Sequence, residues 1–152
     1  MTEIHFYHLQ RQSLEAVLPS LLQKSLERGW RAVVQAASPE RIAALDDHLW
    51  TYEEHSFLPH GTDAEPDATT FPVVLTAGEG NPNGAQIRFQ VDGTRLPADA
   101  AASGYERVVL VFDGNDDEAL AQARADWRGA KASGAALFYW QQDDGGRWDK
   151  KA

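Results

Sequence analysis

The sequence predicts an α/β domain built on a mostly parallel sheet with about three flanking helices. Short apolar runs of strand length alternate with segments of helical hydrophobic spacing along the chain. Alternation of this kind favours strands joined by right-handed helical crossovers. The length of 152 residues and the apolar share of 43% suffice for one core. We therefore expect a single domain over residues 1–152.

The first half of the chain shows the pattern β-α-β-α. We expect strands at residues 4–9 and 31–37 because both are short apolar or aromatic runs. Between them, residues 13–29 carry leucine and valine at helical spacing before Gly29, which suits the end of a helix. Pro19 leaves the start of this helix open.

The second helix has a clear beginning. Ser38 is the expected N-cap and Pro39 the first helical residue. Ile42, Leu45 and Leu49 then fall on one face, which predicts the stripe that packs on the sheet.

The second half of the chain repeats the alternation. Glycine, proline and polar residues separate its elements and indicate loops. We expect strands at 71–77, 85–91, 105–112 and 135–141, a helix at 116–133, and mobile loops at 61–70 and 93–104.

Composition excludes several classes of function. The net charge of −9 argues against broad nucleic-acid binding, because phosphate neutralisation needs clustered Lys and Arg. The chain has no cysteine, so disulfides, thiolate zinc sites and a cysteine nucleophile are excluded. No secretory leader and no run of about 18 apolar residues is visible. These features favour a cytoplasmic protein.

No segment combines the residues of a catalytic, cofactor or metal site. The glycine-rich segment 78–84 is followed by a strand rather than a helix, so it predicts a turn and not a phosphate loop. Asp113, Asp116 and Asp117 follow a strand and either begin a helix or bind a metal; we favour the helix start. His5 and His8 point to opposite faces of their strand, which disfavours zinc.

An aromatic cluster follows the second helix. Trp50 lies about 100° around the helix from Leu49 and away from the apolar stripe. Phe57, Leu58 and Pro59 come soon after it. The cluster either covers the edge of the sheet or forms an exposed anchor for a partner, since aromatic residues dominate binding hot spots.

The last helix has two faces. Ala119, Ala123 and Ala130 form a small-residue stripe suited to packing on a sheet, and Trp127 lies beside it. Basic side chains occupy the adjoining face at Arg124, Arg128 and Lys131. This face is either simply solvated or suited to an acidic peptide with a hydrophobic end.

Several segments of the chain together resemble a known family. The segments "LDDHLWTYEEHSFLPHG", "NPNGAQIRFQVDG" and "RVVLVFDGNDDEALAQARADWRGAKASG" look like the chi subunit of bacterial DNA polymerase III. The resemblance covers nearly the whole chain. It implies a Rossmann-like fold without a nucleotide site, no catalysis and no cofactor. It also implies an adaptor that joins the psi subunit of the clamp loader to the acidic C-terminal tail of single-stranded DNA-binding protein.

The resemblance also implies roles for particular residues. Positions that face psi in the family match Trp50, Phe57, Leu58 and Pro59. The helix that receives the tail matches Arg124, Trp127, Arg128 and Lys131. One departure is Leu120, which stands where better-known members carry a basic residue, so we expect a weaker or differently shaped tail site.

Two other functions stay open from the sequence. The aromatic cluster would also suit a repair helicase as partner. The fold class would also suit a small hydrolase or nucleotide-binding enzyme, since fold does not fix function. In every case we expect little direct contact with DNA because of the acidic charge.

Overall fold

A computed structural model describes residues 2–51, 59–143 and 145–152. Within these ranges eight strands form one sheet, three α-helices pack on it, and two single 3₁₀ turns interrupt the loops. No helix in these ranges is long and apolar enough to cross a membrane. The elements are β1 (Glu3–Leu9), α1 (Leu14–Glu27), β2 (Ala32–Gln35), α2 (Pro39–Thr51), β3 (His60–Thr62), β4 (Val73–Thr76), β5 (Ile87–Gln90), β6 (Arg107–Asp113), α3 (Asp117–Ala132), β7 (Ala136–Gln142) and β8 (Trp148–Lys150), with the 3₁₀ turns at Ala68–Thr70 and Ala100–Ala102.

The sheet has the strand order β3-β4-β2-β5-β6-β1-β7-β8. Every neighbouring pair is parallel except β7 and β8, which run antiparallel with Trp140 opposite Lys150. The predicted α/β class with a mostly parallel sheet is therefore confirmed.

Two apolar layers cover the two faces of the sheet. Side chains of β1 alternate between them, with Ile4 and Phe6 facing α3 and Leu9 facing α1. The predicted stripe of α2 is buried as expected, since Ile42, Leu45 and Leu49 all belong to the layer shared with α1.

Pro19 lies inside α1 rather than at its start. The helix begins at Leu14, where the Ser13 hydroxyl accepts a hydrogen bond from the Ala16 N–H. Because proline has no N–H, the carbonyl of Glu15 lacks its usual partner within the helix. The His48 Nε2 of α2 lies 2.5 Å from that carbonyl oxygen and donates to it. The proline therefore gives α2 a polar contact with α1.

Two short strands correct the sequence prediction. β3 begins at His60 and includes Gly61 and Thr62, which we expected in a loop, and β8 was not predicted. Each has only three residues and lies at an edge of the sheet. A run this short is below the length at which alternation can be recognised.

The glycine-rich segment 78–84 forms bends and a turn, as predicted. It is fastened by Arg88, whose guanidinium is almost completely buried. Arg88 donates to the carbonyls of Gly78 and Gly80, to the side-chain oxygens of two glutamines, and to the Tyr105 hydroxyl. All of its donor groups are thus occupied by neutral acceptors, so Arg88 has a structural role.

Candidate protein-interaction surfaces

The acidic segment before α3 caps the helix. The Asp116 carboxylate accepts hydrogen bonds from the N–H groups of Glu118 and Ala119, and the Asp113 carboxylate accepts one from Asn115. This confirms the predicted helix start. No cluster of three or more His, Cys, Asp or Glu suited to a metal ion occurs among the described residues.

Helix α3 packs its alanine stripe on the sheet and turns its basic residues outward. Ala123 and Ala130 are buried, whereas Arg124, Arg128 and Lys131 are exposed. These three residues are spaced at i, i+4 and i+7, so they share one side of the helix. None of them makes an ion pair or side-chain hydrogen bond with another described residue. We call this surface, with Trp127, the basic face of α3.

Within the basic face, the Trp127 side chain is partly buried and packs against the core. Its ring lies edge-on to Phe6, with 5.2 Å between ring centroids, and edge-on to Tyr139, with 5.7 Å. Leu120, one turn before Arg124, is half-buried in the same apolar cluster. An apolar wall therefore borders the cations.

Tyr139 of β7 and His8 of β1 lie under this face. The Tyr139 hydroxyl is 2.7 Å from His8 Nδ1, and Gly114 leaves no room for a Cβ against the His8 ring. Burial lowers the pKa of His8, and the nearby Arg124 lowers it further. Burial also raises the pKa of the Tyr139 hydroxyl, so at neutral pH it is an uncharged donor. The Tyr139 hydroxyl beneath the basic face therefore adds no negative charge that would repel an anionic ligand.

Sequence reasoning did not single out Phe6, His8 and Tyr139 for this surface. The sequence pattern that could have identified them is the alternation of side chains along a strand. It places Phe6 and His8 on one face of β1, and Tyr139 lies on the same face of β7. The pairing of β1 with β7 was needed to bring them beneath α3.

The aromatic cluster after α2 is only partly described. Trp50 is 51% exposed, which agrees with its predicted position off the apolar stripe. Its ring contacts the buried His60, with 4.4 Å between centroids, and Pro59 is half-buried nearby. Phe57 and Leu58 lie outside the described residues. We call Trp50 and Pro59 the α2-end surface.

The two surfaces lie far apart in the fold. Helix α2 contacts β3 and β4 on the face of the sheet that α1 also covers. Helix α3 contacts β6 and β7 on the opposite face. The two candidate surfaces are therefore on helices that cover opposite faces of the sheet.

A cavity of about 690 Å³ opens at the carboxyl ends of β1 and β6. The crossovers from these adjacent strands run to opposite faces, which is where open α/β sheets bind ligands. Here, however, both helix N-termini are capped by their own side chains, Ser13 and Asp116.

Two of the three arginines lining this cavity, Arg41 and Arg95, are paired with carboxylates. Arg41 contacts Glu15 at 2.9 Å and Asp92 at 2.7 Å, and Arg95 contacts Asp126 at 2.6 Å. A nucleotide phosphate would have to displace these partners and the helix caps. The cavity is poorly suited to a nucleotide.

Comparison with known proteins gives the family. A family model described as the DNA polymerase III chi subunit, HolC, matches residues 1–137. The chain belongs to the DNA polymerase III chi subunit family. One relative, the probable DNA polymerase III subunit chi of Rickettsia prowazekii (strain Madrid E), is 22% identical over 117 residues. The match covers 74% of this chain and 71% of that protein.

Membership in the chi family confirms the resemblance seen in the sequence and gives the protein a place in DNA replication as a polymerase III subunit. The family match includes both α2 and α3, and so both candidate surfaces. It ends at residue 137, so most of β7 and all of β8 lie beyond it.

Proposed function

We propose that this chain is a non-catalytic cytoplasmic adaptor of the DNA polymerase III holoenzyme. Its α2-end surface, together with Phe57 and Leu58 from the same segment of the sequence, binds the psi subunit through Trp50, Phe57, Leu58 and Pro59. The basic face of α3, with Arg124, Trp127, Arg128 and Lys131, binds the acidic C-terminal tail of single-stranded DNA-binding protein. The adaptor uses no cofactor and makes little direct contact with DNA.

The observation that carries this proposal is that the cations of the basic face are exposed and unpaired among the described residues. Three exposed cations share one side of α3 without an ion-pair partner among the described residues, in a chain of net charge −9. A guanidinium pairs well with a carboxylate because its donors match the two oxygens. An acidic peptide supplies such carboxylates, and an apolar terminal side chain would pack against the wall formed by Trp127 and Leu120.

Leu120 shortens the cationic stretch. Its side chain packs into the apolar cluster under α3 instead of extending toward solvent. The basic face therefore begins at Arg124 and has more apolar area at its start. We expect this to favour the hydrophobic end of the tail over additional acidic residues.

The separation of the two surfaces supports an adaptor role. A protein that joins two partners has to hold both together, and surfaces on opposite faces of one sheet permit this. The paired arginines and capped helices at the 690 Å³ cavity give no comparable support to a nucleotide-binding enzyme.

Capture of purified partners tests the proposal. The immobilised chain is incubated with single-stranded DNA-binding protein from the same organism, either full-length or lacking its acidic tail, and with the psi subunit. We expect capture of the full-length protein and of psi together, and no capture of the tail-less protein. Equal capture of both forms, or of neither, would contradict the tail mechanism.

A further inference from the structure

A second group of basic side chains surrounds a small cavity on the other face of the sheet. The cavity has a volume of about 110 Å³ and lies between the carboxyl end of α1 and the first residue of β6. Its lining includes Tyr7, Lys24, Ser25, Arg28, Trp30 and Arg107, and its remaining lining side chains are apolar. No role in the proposed adaptor function involves these residues.

The positive charge at this cavity is only partly neutralised. Lys24 and Arg28 make no ion pair with another described residue. Arg107 contacts one carboxylate, that of Glu3, at 3.3 Å. The Arg107 Nε is buried and has no acceptor in the described part of the chain. A buried N–H without an acceptor is costly, so an acceptor that reached it would be stabilising.

Trp30 holds two of the cations close together, and Tyr7 lies near them. The Trp30 ring contacts both guanidiniums, with 5.1 Å from Arg28 and 5.5 Å from Arg107 to its centroid. Burial raises the pKa of the Tyr7 hydroxyl, and the nearby Arg107 and Arg28 partly oppose this effect. The Tyr7 hydroxyl is thus a neutral donor beside both arginines.

The end of α1 does not need these cations as caps. Its last carbonyls accept backbone hydrogen bonds: Lys24 from Arg28, Leu26 from Gly29, and Ser25 from Trp30. Because these acceptors are already occupied, the side chains of Lys24 and Arg28 remain available to a ligand.

We propose that this cavity binds a phosphate-type oxyanion. Three cations, the unpartnered Arg107 N–H and the Tyr7 hydroxyl supply donors of the kind that such an ion requires. The volume of about 110 Å³ is well below the roughly 300 Å³ of the smallest typical organic-ligand pockets. The site therefore holds a single phosphate group, either as a free ion or as one group of a nucleotide or nucleic acid whose remainder lies outside.

NMR spectroscopy of the full chain tests this directly. The Arg107 Nε–H and Trp30 indole signals are followed while inorganic phosphate is added, with sodium chloride of equal ionic strength as the reference. We expect saturable shifts with phosphate alone. Shifts that do not saturate, or that chloride reproduces, would overturn the proposal.

Variants on the exposed rim keep the test independent of folding. Replacing both rim cations, Lys24→Gln with Arg28→Gln, should weaken phosphate binding by roughly tenfold or more, since charge-assisted contacts are lost. The control Lys151→Gln removes one cation directly after β8 and should leave binding unchanged. Unchanged binding in the double variant, or equal loss in the control, would contradict the site.

The source of the phosphate is decided by two further titrations. A nucleoside monophosphate and a short single-stranded DNA are added to the wild-type chain and to the double variant. Their affinities are compared with that of inorganic phosphate. A larger ligand that binds more tightly than inorganic phosphate to the wild-type chain, but not to the double variant, is the source of the phosphate group. If neither larger ligand binds more tightly than inorganic phosphate, the ligand is the free ion.

Discussion

The indole of Trp127 on α3 lies edge-on to the ring of Phe6 on β1, with their planes inclined at 70°. This contact connects the candidate tail-binding surface to the core of the protein. Trp127 therefore has two effects, one on the stability of the fold and one on the shape of the binding surface.

Replacing Trp127 should show its effect on the stability of the fold. Trp127→Ala removes the contacts with Phe6 and Tyr139 and should lower the free energy of unfolding by about 2 to 3 kcal/mol, less than a fully buried tryptophan. Trp127→Phe keeps an aromatic ring there and should cost about 1 kcal/mol. Urea denaturation measures both. An alanine variant as stable as the wild type would show that the ring contributes nothing to the core.

Trp50→Ala should affect binding more than stability. Half of the Trp50 side chain is exposed, and its described ring contact is with His60. The fold should remain, while affinity for psi should fall by roughly 30-fold, as for a binding anchor worth about 2 kcal/mol. Titration with purified psi measures the loss, and Arg128→Glu serves as the control that should keep psi binding. If Trp50→Ala unfolds the chain, the aromatic cluster is structural.

Asp116 should contribute to stability through its cap. Asp116→Ala leaves the N–H groups of Glu118 and Ala119 without their side-chain acceptor, so it should lower the free energy of unfolding by about 1 kcal/mol. Asp116→Asn preserves an acceptor and should cost less, a few tenths to about 1 kcal/mol. Thermal denaturation compares the two. An equal loss for asparagine and alanine would argue that the negative charge, rather than the hydrogen bonds to Glu118 and Ala119, stabilises the helix start.

His5 should make stability depend on pH. The Trp140 indole N–H donates to His5 Nδ1 at 2.9 Å, so Nδ1 carries no proton and Nε2 donates to the Glu3 carboxylate. Burial lowers the pKa of His5 to about 4. Between about pH 4 and pH 6.5 the unfolded chain therefore binds more protons than the folded chain, so stability rises with pH and is complete above this range.

The expected loss from pH 7 to pH 4 through His5 is on the order of 2 to 3 kcal/mol. His5→Gln cannot titrate and should flatten the dependence of unfolding free energy on pH in this window. His8, whose pKa burial also lowers, retains its share in the variant. Denaturation series at several pH values measure the slopes. Identical slopes in variant and wild type would contradict the assignment.

The principal elements were predictable because they are long or strongly patterned. Capping residues located the starts of α2 and α3, and the apolar runs located β1, β6 and β7. The edge strands β3 and β8 were not predictable, since three residues carry no recognisable period. Arg88 was missed because buried arginines are rare and its backbone acceptors leave no pattern in the sequence.

The candidate surfaces were predictable to different degrees. Helical spacing was enough to place Arg124, Arg128 and Lys131 on one exposed side. It could not show that Trp127 contacts Phe6 and Tyr139, because these rings come from distant strands. The single-domain organisation over residues 1–152 remains a prediction, which limited proteolysis would test. The psi-facing and tail-binding residues likewise remain proposals.

The most direct test of the adaptor account is titration of the chain with a peptide corresponding to the tail of single-stranded DNA-binding protein. Arg124→Ala should weaken binding by about 1.5 to 3 kcal/mol, and Arg128→Glu should abolish it. Lys24→Glu, on the opposite face of the sheet, should have little effect. Affinity should fall as the salt concentration rises. Amidating the terminal carboxylate of the peptide, or removing a terminal Phe, should reduce affinity at least as much as Arg124→Ala does. Equal binding of the peptide by wild type and Arg128→Glu would contradict the account.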